Sequence, residues 1–230
     1  MIDFIDRPSP NHDARKRPVS MIVLHYTDML SAEEAITRLC DPEARVSCHY
    51  LVSRSGEVVR MVPEERRAWH AGRSYWRGIT DVNDDAVGIE LDNPGHLNGY
   101  QPFPDSQIDA LIPLVSDIML RHRITRGNVV GHSDVAPARK RDPGELFPWS
   151  KLARLRLALP RPTQNLMDPH WTDAGFLLAL ERFGYDVSDK MAAVVAFQRR
   201  FRPELIDGEI DGECRSILLA LLLPKPMGDD

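Results

Sequence analysis

Two histidines and an aspartate occupy positions in this chain from which their side chains could converge on one metal ion. His25 ends the apolar run 21–24, and His132 follows a second β-rich run. Asp142 lies further along, on a loop that neighbouring prolines would stiffen. Catalytic zinc typically takes three nitrogen or oxygen ligands from the protein and keeps a fourth position for water. These three residues therefore predict a hydrolytic zinc site.

Two charged residues could supply the rest of the chemistry. Glu90 lies in the otherwise apolar segment 87–91, where a carboxylate is costly to bury unless it is paired or functional, so it is a candidate general base. Lys140 lies two residues before Asp142 and could stabilise an oxyanion. Each has a plainer alternative, because Glu90 could face solvent on an edge strand and Lys140 could belong to a solvated basic patch.

The elements that must position these residues follow from the apolar spacing, which predicts strands alternating with amphipathic helices and hence an α/β fold. Strands are predicted at 21–24, 87–91 and 129–131, and a hairpin pairs 49–53 with 58–62. Helices are predicted from Ser31 to Cys40, from Ser106 to Arg121, and over 149–159. Pro113 should kink the second helix or mark a later start.

A change in composition divides the chain. Residues 160–165 have the composition of a linker, so we expect a catalytic domain over 1–159, a linker over 160–168 and a small three-helix domain over 169–230. Its helices are predicted from cap Thr172 to Phe183 before Gly184, from cap Ser188 to Phe201, and from Gly212 to Leu223.

Composition excludes several classes of protein. With a net charge of -5 and no basic stripe, the chain does not suit nucleic acid. No apolar run reaches the roughly 18 residues of a membrane span, so no membrane association is expected. The three cysteines lack CxxC spacing and the start lacks a secretory pattern. Taking Met1 as the true start, we expect a cytoplasmic protein.

Ordered motifs across residues 8 to 158 carry a family resemblance. They are Ser9-Pro-Asn-His12, Val23-Leu-His-Tyr-Thr27, Ser47-Cys-His-Tyr-Leu-Val52, Trp69-His-Ala-Gly72 with Trp76, Val87-Gly-Ile-Glu-Leu-Asp-Asn93, and the tract from Val130 to Gly144. The set resembles the zinc-dependent N-acetylmuramoyl-L-alanine amidases of type 2, kin to phage zinc lysozymes and peptidoglycan recognition proteins. The resemblance implies a central mixed β-sheet flanked by helices.

The resemblance also assigns roles to the candidate residues. It implies that His25, His132 and Asp142 hold zinc, that Glu90 activates water, and that Lys140 supports the oxyanion. The implied reaction is hydrolysis of the amide between the lactyl group of N-acetylmuramic acid and L-alanine.

Three more residues fall on family positions that line the substrate groove, namely His49, Trp69 and His70. Each could contact substrate or orient a metal ligand. Cys48 departs from relatives that carry an aromatic hydroxyl there, and no base is specified beside it, so we expect no nucleophilic thiol.

Other aromatic residues and histidines have less specific roles. Trp69, Tyr75 and Trp76 could stack on sugars, or one of them could serve in the core or a lid. The remaining histidines are expected to be structural or surface residues; they are His12, His96, His122 and His170.

The tail resembles the three-helix peptidoglycan-binding module through Phe183-Gly-Tyr-Asp186, residues 193–201 and Ile210-Asp-Gly-Glu213. The alternative is a packing appendage, since an apolar helical face serves either purpose. Together these resemblances lead us to expect an amidase that acts on peptidoglycan fragments, in the 1,6-anhydro form, during cell-wall recycling. A non-catalytic peptidoglycan receptor and a phage-type lytic amidase are the alternatives.

Overall fold

The computed structural model describes residues 2–163 and 166–223. Residues 164 and 165 of the predicted linker, and 224–230 of the predicted three-helix domain, lie outside the described residues. The strands are β1 (Phe4–Asp6), β2 (His12–Ala14), β3 (Met21–Tyr26), β4 (Tyr50–Val52), β5 (Val58–Arg60), β6 (Arg66–Ala68), β7 (Ala86–Leu91) and β8 (Val129–Gly131).

The helices lie between and after these strands. They are α1 (Ala32–Cys40), α2 (Val82–Asp85), α3 (Asp105–His122), α4 (His132–Val135), α5 (Trp149–Arg154), α6 (Asp173–Phe183), α7 (Lys190–Phe201) and α8 (Gly212–Leu222). Among the residues described, no helix combines the length and the apolar character needed to cross a membrane.

The main sheet has six strands in the order β1-β5-β4-β7-β3-β8. Strand β7 is parallel to β4 and to β3, and β3 is parallel to β8, whereas β4 and β5 pair antiparallel as the predicted hairpin. The predicted α/β fold with a central mixed sheet is therefore confirmed. Because β7, β3 and β8 run in the same direction, their carboxyl ends meet at one edge, where α/β proteins usually build their sites.

Helices cover both faces of this sheet. On one face α3 and α5 pack over alternate strand residues such as Ile22, Leu24 and Ile89. On the other face α1 packs over β4 and β5. The C-terminal helices pack over β3 and β8 on this same face, where Met21 and Val23 join their core.

A buried carboxylate connects the C-terminal helices to the segment after β8. Asp134 Oδ2 accepts from the Gly131 backbone N–H at 2.7 Å, and Asp134 Oδ1 accepts from the Tyr185 hydroxyl at 2.6 Å. Arg200 Nε lies 3.9 Å from the same carboxylate. A buried charge is tolerated only when it is paired and hydrogen-bonded, so these contacts fix the chain beside His132.

Several predicted helix boundaries are corrected. Pro104 precedes α3 and the Ser106 hydroxyl donates to Arg54 O instead of capping the helix. Helix α3 begins before Pro113 and continues past it, so the alternative prediction that the helix starts at Pro113 is wrong. Helix α5 ends at Arg154, short of the predicted 159, because Arg156 adopts a left-handed backbone conformation.

The C-terminal helices follow the prediction more closely. Thr172 caps α6 and Gly184 ends it at a φ of 146°, as predicted. The cap of α7 is Asp189, whose side chain accepts from Ala192 N, so the predicted cap Ser188 is wrong by one residue. Trp76 is buried against Phe183 and Tyr185, so it serves the core and cannot stack on a sugar.

Glu64 connects the carboxyl end of α3 to the sheet. Its carboxylate accepts hydrogen bonds from Arg121 and from the Tyr50 hydroxyl, and His122 lies against it. Burial by itself would raise the pKa of Glu64, but the hydrogen bonds from Arg121, Tyr50 and His122 outweigh it and lower the pKa to about 2.

This lowered pKa predicts a pH dependence of stability. Because the folded pKa lies below the usual 4.5, the contribution of Glu64 is complete above pH 4.5 and is lost as the pH falls toward about 2. Glu64→Gln should lower the free energy of unfolding by about 2 kcal/mol near neutral pH and flatten its fall below about pH 5. Urea unfolding across pH measures both, with exposed Glu65→Gln as the matched control. Equal acid sensitivity of wild type and Glu64→Gln would contradict the assignment.

Candidate metal centre and active site

The strand register places three polar side chains in one row at the carboxyl edge of the sheet. His25 of β3 is paired in register with Glu90 of β7, so both side chains project from the same face. Leu24 is paired with Gly131, which puts His132 level with His25 on the other side. At the next strand outward this row is apolar, since Leu51 is the register partner of Glu90.

Asp142 joins the two histidines from the loop that follows α4. His25 Nδ1 and His132 Nδ1 lie 2.9 Å apart, and Asp142 Oδ2 lies 3.1 Å from the first and 2.9 Å from the second. All three side chains are buried. The structure thus brings together the three residues that the sequence predicted as metal ligands.

The orientation of the two imidazoles makes this cluster suitable for a cation. His132 Nε2 donates to Ala71 O at 3.1 Å, and His25 Nε2 faces His70 Nδ1 at 3.0 Å. Burial lowers the pKa of His25 to about 4, so it is neutral at physiological pH. Both Nδ1 atoms and one Asp142 oxygen lie within 3.1 Å of one another, so three potential donor atoms converge on one buried point. The donor set therefore fits a divalent metal ion.

His70 contacts His25, and a glycine makes room for its ring. A Cβ at Gly88 would lie 2.4 Å from His70 Cγ, so only glycine leaves room for the ring over β7. His49 lies beneath, where its Nδ1 accepts from the Gly88 N–H at 2.9 Å and its Nε2 faces Arg66 O at 3.1 Å. His70 is therefore placed to orient a ligand, and His49 to support the backbone under it.

Glu90 lies beside this cluster with an unusual carboxyl group. Its Oε2 is buried and has no hydrogen-bond partner. Burial raises the pKa of Glu90 well above its ordinary value, and the negative charge of Asp142 raises it further. A carboxyl group with a raised pKa beside a metal site is suited to take up and release a proton. The solvent-facing alternative for Glu90 does not hold.

These groups open into a cleft of about 690 Å³ at the sheet edge. Exposed Lys140 lies on the rim of this cleft. Its positive charge lowers the pKa of Glu90 and so partly offsets the increase caused by burial and by Asp142. Half-buried Trp69 also lines the cleft and donates from Nε1 to Asp13 Oδ2 at 3.3 Å. His49 is not among the described residues that line it.

Sequence reasoning missed other residues of the cleft. Tyr26, His96 and Arg139 line it, and the Arg139 guanidinium donates to the same Ala71 O that His132 contacts. The only sequence signal for Tyr26 is its position, directly after the candidate ligand His25 at the end of a strand. His96 lies in the loop after β7, which also ends at this edge.

Cys48 takes no part in the chemistry. Its thiol is buried against Met61 Sδ at 3.7 Å, and burial raises its pKa well above the ordinary value. A protonated, enclosed thiol is a poor nucleophile, in agreement with the expectation from the sequence.

A three-ligand metal site with a raised-pKa carboxyl beside it, in an open cleft, defines a candidate metal-dependent hydrolase. The family model for N-acetylmuramoyl-L-alanine amidase matches residues 15–145. This chain belongs to that family, and it is an N-acetylmuramoyl-L-alanine amidase.

Named relatives cover different shares of the chain. It is 40% identical to the N-acetylmuramoyl-L-alanine amidase AmiD of Escherichia coli, over 89% of this chain and 82% of that protein. It is 34% identical to the 1,6-anhydro-N-acetylmuramyl-L-alanine amidase AmpD of Enterobacter cloacae, over 66% of this chain and 89% of the relative.

Solved structures give the same result. The complex of Escherichia coli AmiD with anhydro-N-acetylmuramic acid-L-Ala-D-gamma-Glu-L-Lys superposes with a TM-score of 0.82 at 37% identity, covering 91% of each chain. AmpDh3 of Pseudomonas aeruginosa superposes at 0.79 with 32% identity, covering 89% of this chain and 91% of that one.

The packing of His70 on Gly88 predicts the effect of one added methyl group. Gly88→Ala should displace His70, leave His25 Nε2 without its partner and weaken metal binding by about 10- to 100-fold. His70→Ala should have a similar effect without a backbone collision. Metal content after dialysis against graded chelator measures both. Gly175→Ala, where the added Cβ meets only ordinary contacts, is the control. Full metal affinity in both site variants would show that His70 does not orient the ligand.

Proposed function

We propose that this enzyme cleaves the amide between the lactyl group of 1,6-anhydro-N-acetylmuramic acid and the L-alanine of the stem peptide, on soluble peptidoglycan fragments. The support is the similarity to AmiD and AmpD, together with a cleft large enough to admit a sugar and a short peptide. A non-catalytic receptor is disfavoured because all three metal donors and the carboxyl of Glu90 are in place.

We propose zinc as the metal, held by His25, His132 and Asp142. Two imidazole nitrogens and one carboxylate oxygen are a donor set typical of catalytic zinc, which keeps a further position open. Zinc bound there supplies Lewis acidity, which polarises a carbonyl and lowers the pKa of water.

The residues of the chain then manage the protons and the developing charge. Glu90 takes a proton from the water whose oxygen attacks the carbonyl carbon, and the ammonium of Lys140, which lines the same cleft, offsets the charge on the tetrahedral oxygen. When the carbon–nitrogen bond breaks, Glu90 delivers that proton to the alanine nitrogen. The products are a lactyl carboxylate and a free stem peptide.

The buried, unpartnered Oε2 of Glu90 carries this proposal, since without a proton-transfer role it would be an uncompensated cost. Glu90→Gln should lower kcat by about 10²- to 10⁴-fold, because the amide cannot accept the proton, while zinc content stays at one per chain. Muropeptide turnover and elemental analysis measure the two quantities. Glu181→Gln, on the exposed side of α6, is the control. Near-normal turnover by Glu90→Gln would rule out Glu90 as the base.

The remaining predicted residues have supporting parts in this proposal. Trp69 offers an aromatic face to the substrate in the cleft, and His70 and His49 hold the metal ligands in place. We propose that residues 1–159 carry the chemistry and that the helices of 169–230, joined through 160–168, stabilise it and extend the surface available to glycan.

We also propose that the substrate is met in the cytoplasm, as cell-wall fragments in recycling. The three cysteines are all free thiols, which is typical of proteins kept in a reducing compartment. A recycling enzyme is also expected to act on fragments already released from the wall.

Substrate form tests the recycling role. Purified enzyme should release stem peptide from 1,6-anhydro-muropeptides at least about tenfold faster than from intact sacculi at equal muramyl-amide concentration, since a cross-linked polymer loses the conformational freedom needed to enter the cleft. Chromatography of the released peptide measures both rates, and muropeptides with a reducing sugar end serve as the control. Faster release from sacculi would indicate wall lysis instead.

A further inference from the structure

Four side chains form a continuous polar series from helix α7 to the cleft. Arg199 Nε lies 3.5 Å from Glu145 Oε2, and both Glu145 oxygens lie 3.2 Å from His96 Nε2. His96 Nδ1 lies 2.8 Å from the Tyr26 hydroxyl. Tyr26 and His96 both line the cleft, and Tyr26 directly follows the metal ligand His25.

The proton positions in this series follow from its acidic member. The hydrogen bond from His96 lowers the pKa of Glu145 to about 2, so its carboxylate only accepts. His96 therefore donates from Nε2 to Glu145, and its Nδ1 lies within hydrogen-bond distance of the Tyr26 hydroxyl. The Tyr26 hydroxyl is thereby held at the cleft, and it keeps hydrogen-bonding capacity for a polar group of a ligand.

Packing holds the series in place. The Tyr100 ring is stacked on His96 with centroids 4.3 Å apart and planes 21° apart. The Tyr100 hydroxyl donates to Pro143 O and accepts from Leu146 N, which fixes the backbone on either side of Glu145. Because His96 is held in place, the Tyr26 hydroxyl that contacts it loses little freedom when a ligand binds. A hydrogen bond between the ligand and Tyr26 therefore forms at low entropic cost.

We propose that Tyr26 binds substrate through a hydrogen bond between its hydroxyl and a polar group of the muropeptide, and that His96, Glu145 and Arg199 are positioning residues that hold this hydroxyl in place. The proposal rests on the function proposed above. It gives helix α7 of the C-terminal segment a part in substrate affinity, through side chains that nothing else in the site requires.

Steady-state kinetics on anhydro-muropeptide test it. Tyr26→Phe should raise KM about fivefold, the value of one hydrogen bond, with kcat within about twofold of wild type and metal content unchanged. Glu145→Ala and Arg199→Met should raise KM by about two- to threefold for the same reason, and Glu145→Gln, which keeps an acceptor oxygen, should recover part of the loss.

A double variant separates positioning from general stability. Because Glu145 acts through Tyr26, adding Glu145→Ala to Tyr26→Phe should raise KM no further. Arg161→Met, which breaks exposed ion pairs to Glu204 and Glu213 in the same segment, should leave KM unchanged. An unchanged KM for Tyr26→Phe, or fully additive effects of the two substitutions, overturns the proposal.

Binding of anhydro-muropeptide to the Glu90→Gln variant distinguishes failure of the Tyr26 proposal from failure of the proposed function. Calorimetry with anhydro-muropeptide should give a weaker Kd when Tyr26→Phe is added, whether or not the wild type turns over. Competition by free stem peptide and by free anhydro-N-acetylmuramic acid then shows which part of the muropeptide contacts Tyr26. The fragment whose competition is weakened by Tyr26→Phe carries the contact. Equal Kd values with and without Tyr26→Phe, for the muropeptide and for both fragments, exclude the contact.

Discussion

The convergence of two imidazole nitrogens and one carboxylate oxygen on a single buried point is the constraint on which the rest of this structure depends. His25 Nδ1, His132 Nδ1 and Asp142 Oδ2 lie within 3.1 Å of one another, and the outer nitrogens of both rings are turned to fixed partners. Folding alone offers little compensation for such an arrangement in a buried site. The donor set fits a divalent cation, and a cation bound there would couple its binding free energy to that of folding.

The supports of this cluster explain sequence features that lie well away from it. Gly88 is needed because the His70 ring lies on its Cα, and His49 accepts the Gly88 N–H. Burial and then the nearby Arg15 charge lower the pKa of His49 to about 3, so its ring remains a neutral acceptor. A side-chain acceptor thereby satisfies the Gly88 N–H just before β4 begins, and the hydrogen bonding of the sheet continues toward the candidate metal ligands.

The sequence predicted what local rules determine. Apolar runs located β3, β7 and β8, and the strand-end rule placed His25 and His132 together, because parallel strands bring their ends to one edge. Their positions along the chain also suggested Asp142 as the third ligand and Lys140 as a support for an oxyanion, and the resemblance implied the same roles. Prediction failed where distant contacts decide the outcome. Trp76 is buried against Phe183 and Tyr185 of the C-terminal segment, and His96 is held at the cleft by Glu145, Tyr26 and Tyr100.

The C-terminal helices bear on catalysis because of where their core lies. Met21 and Val23, in the strand that carries His25, are buried in the same cluster as Phe176 and Phe197. Removing the helices would expose this face, at a cost of roughly 25 cal/mol per Å² of apolar surface. It would also leave the Asp134 carboxylate, which binds the amide just before His132, without its hydroxyl donor. The positions of both candidate histidine ligands therefore depend on residues more than forty positions further along the chain, and this dependence would hold even if the helices never touched a glycan.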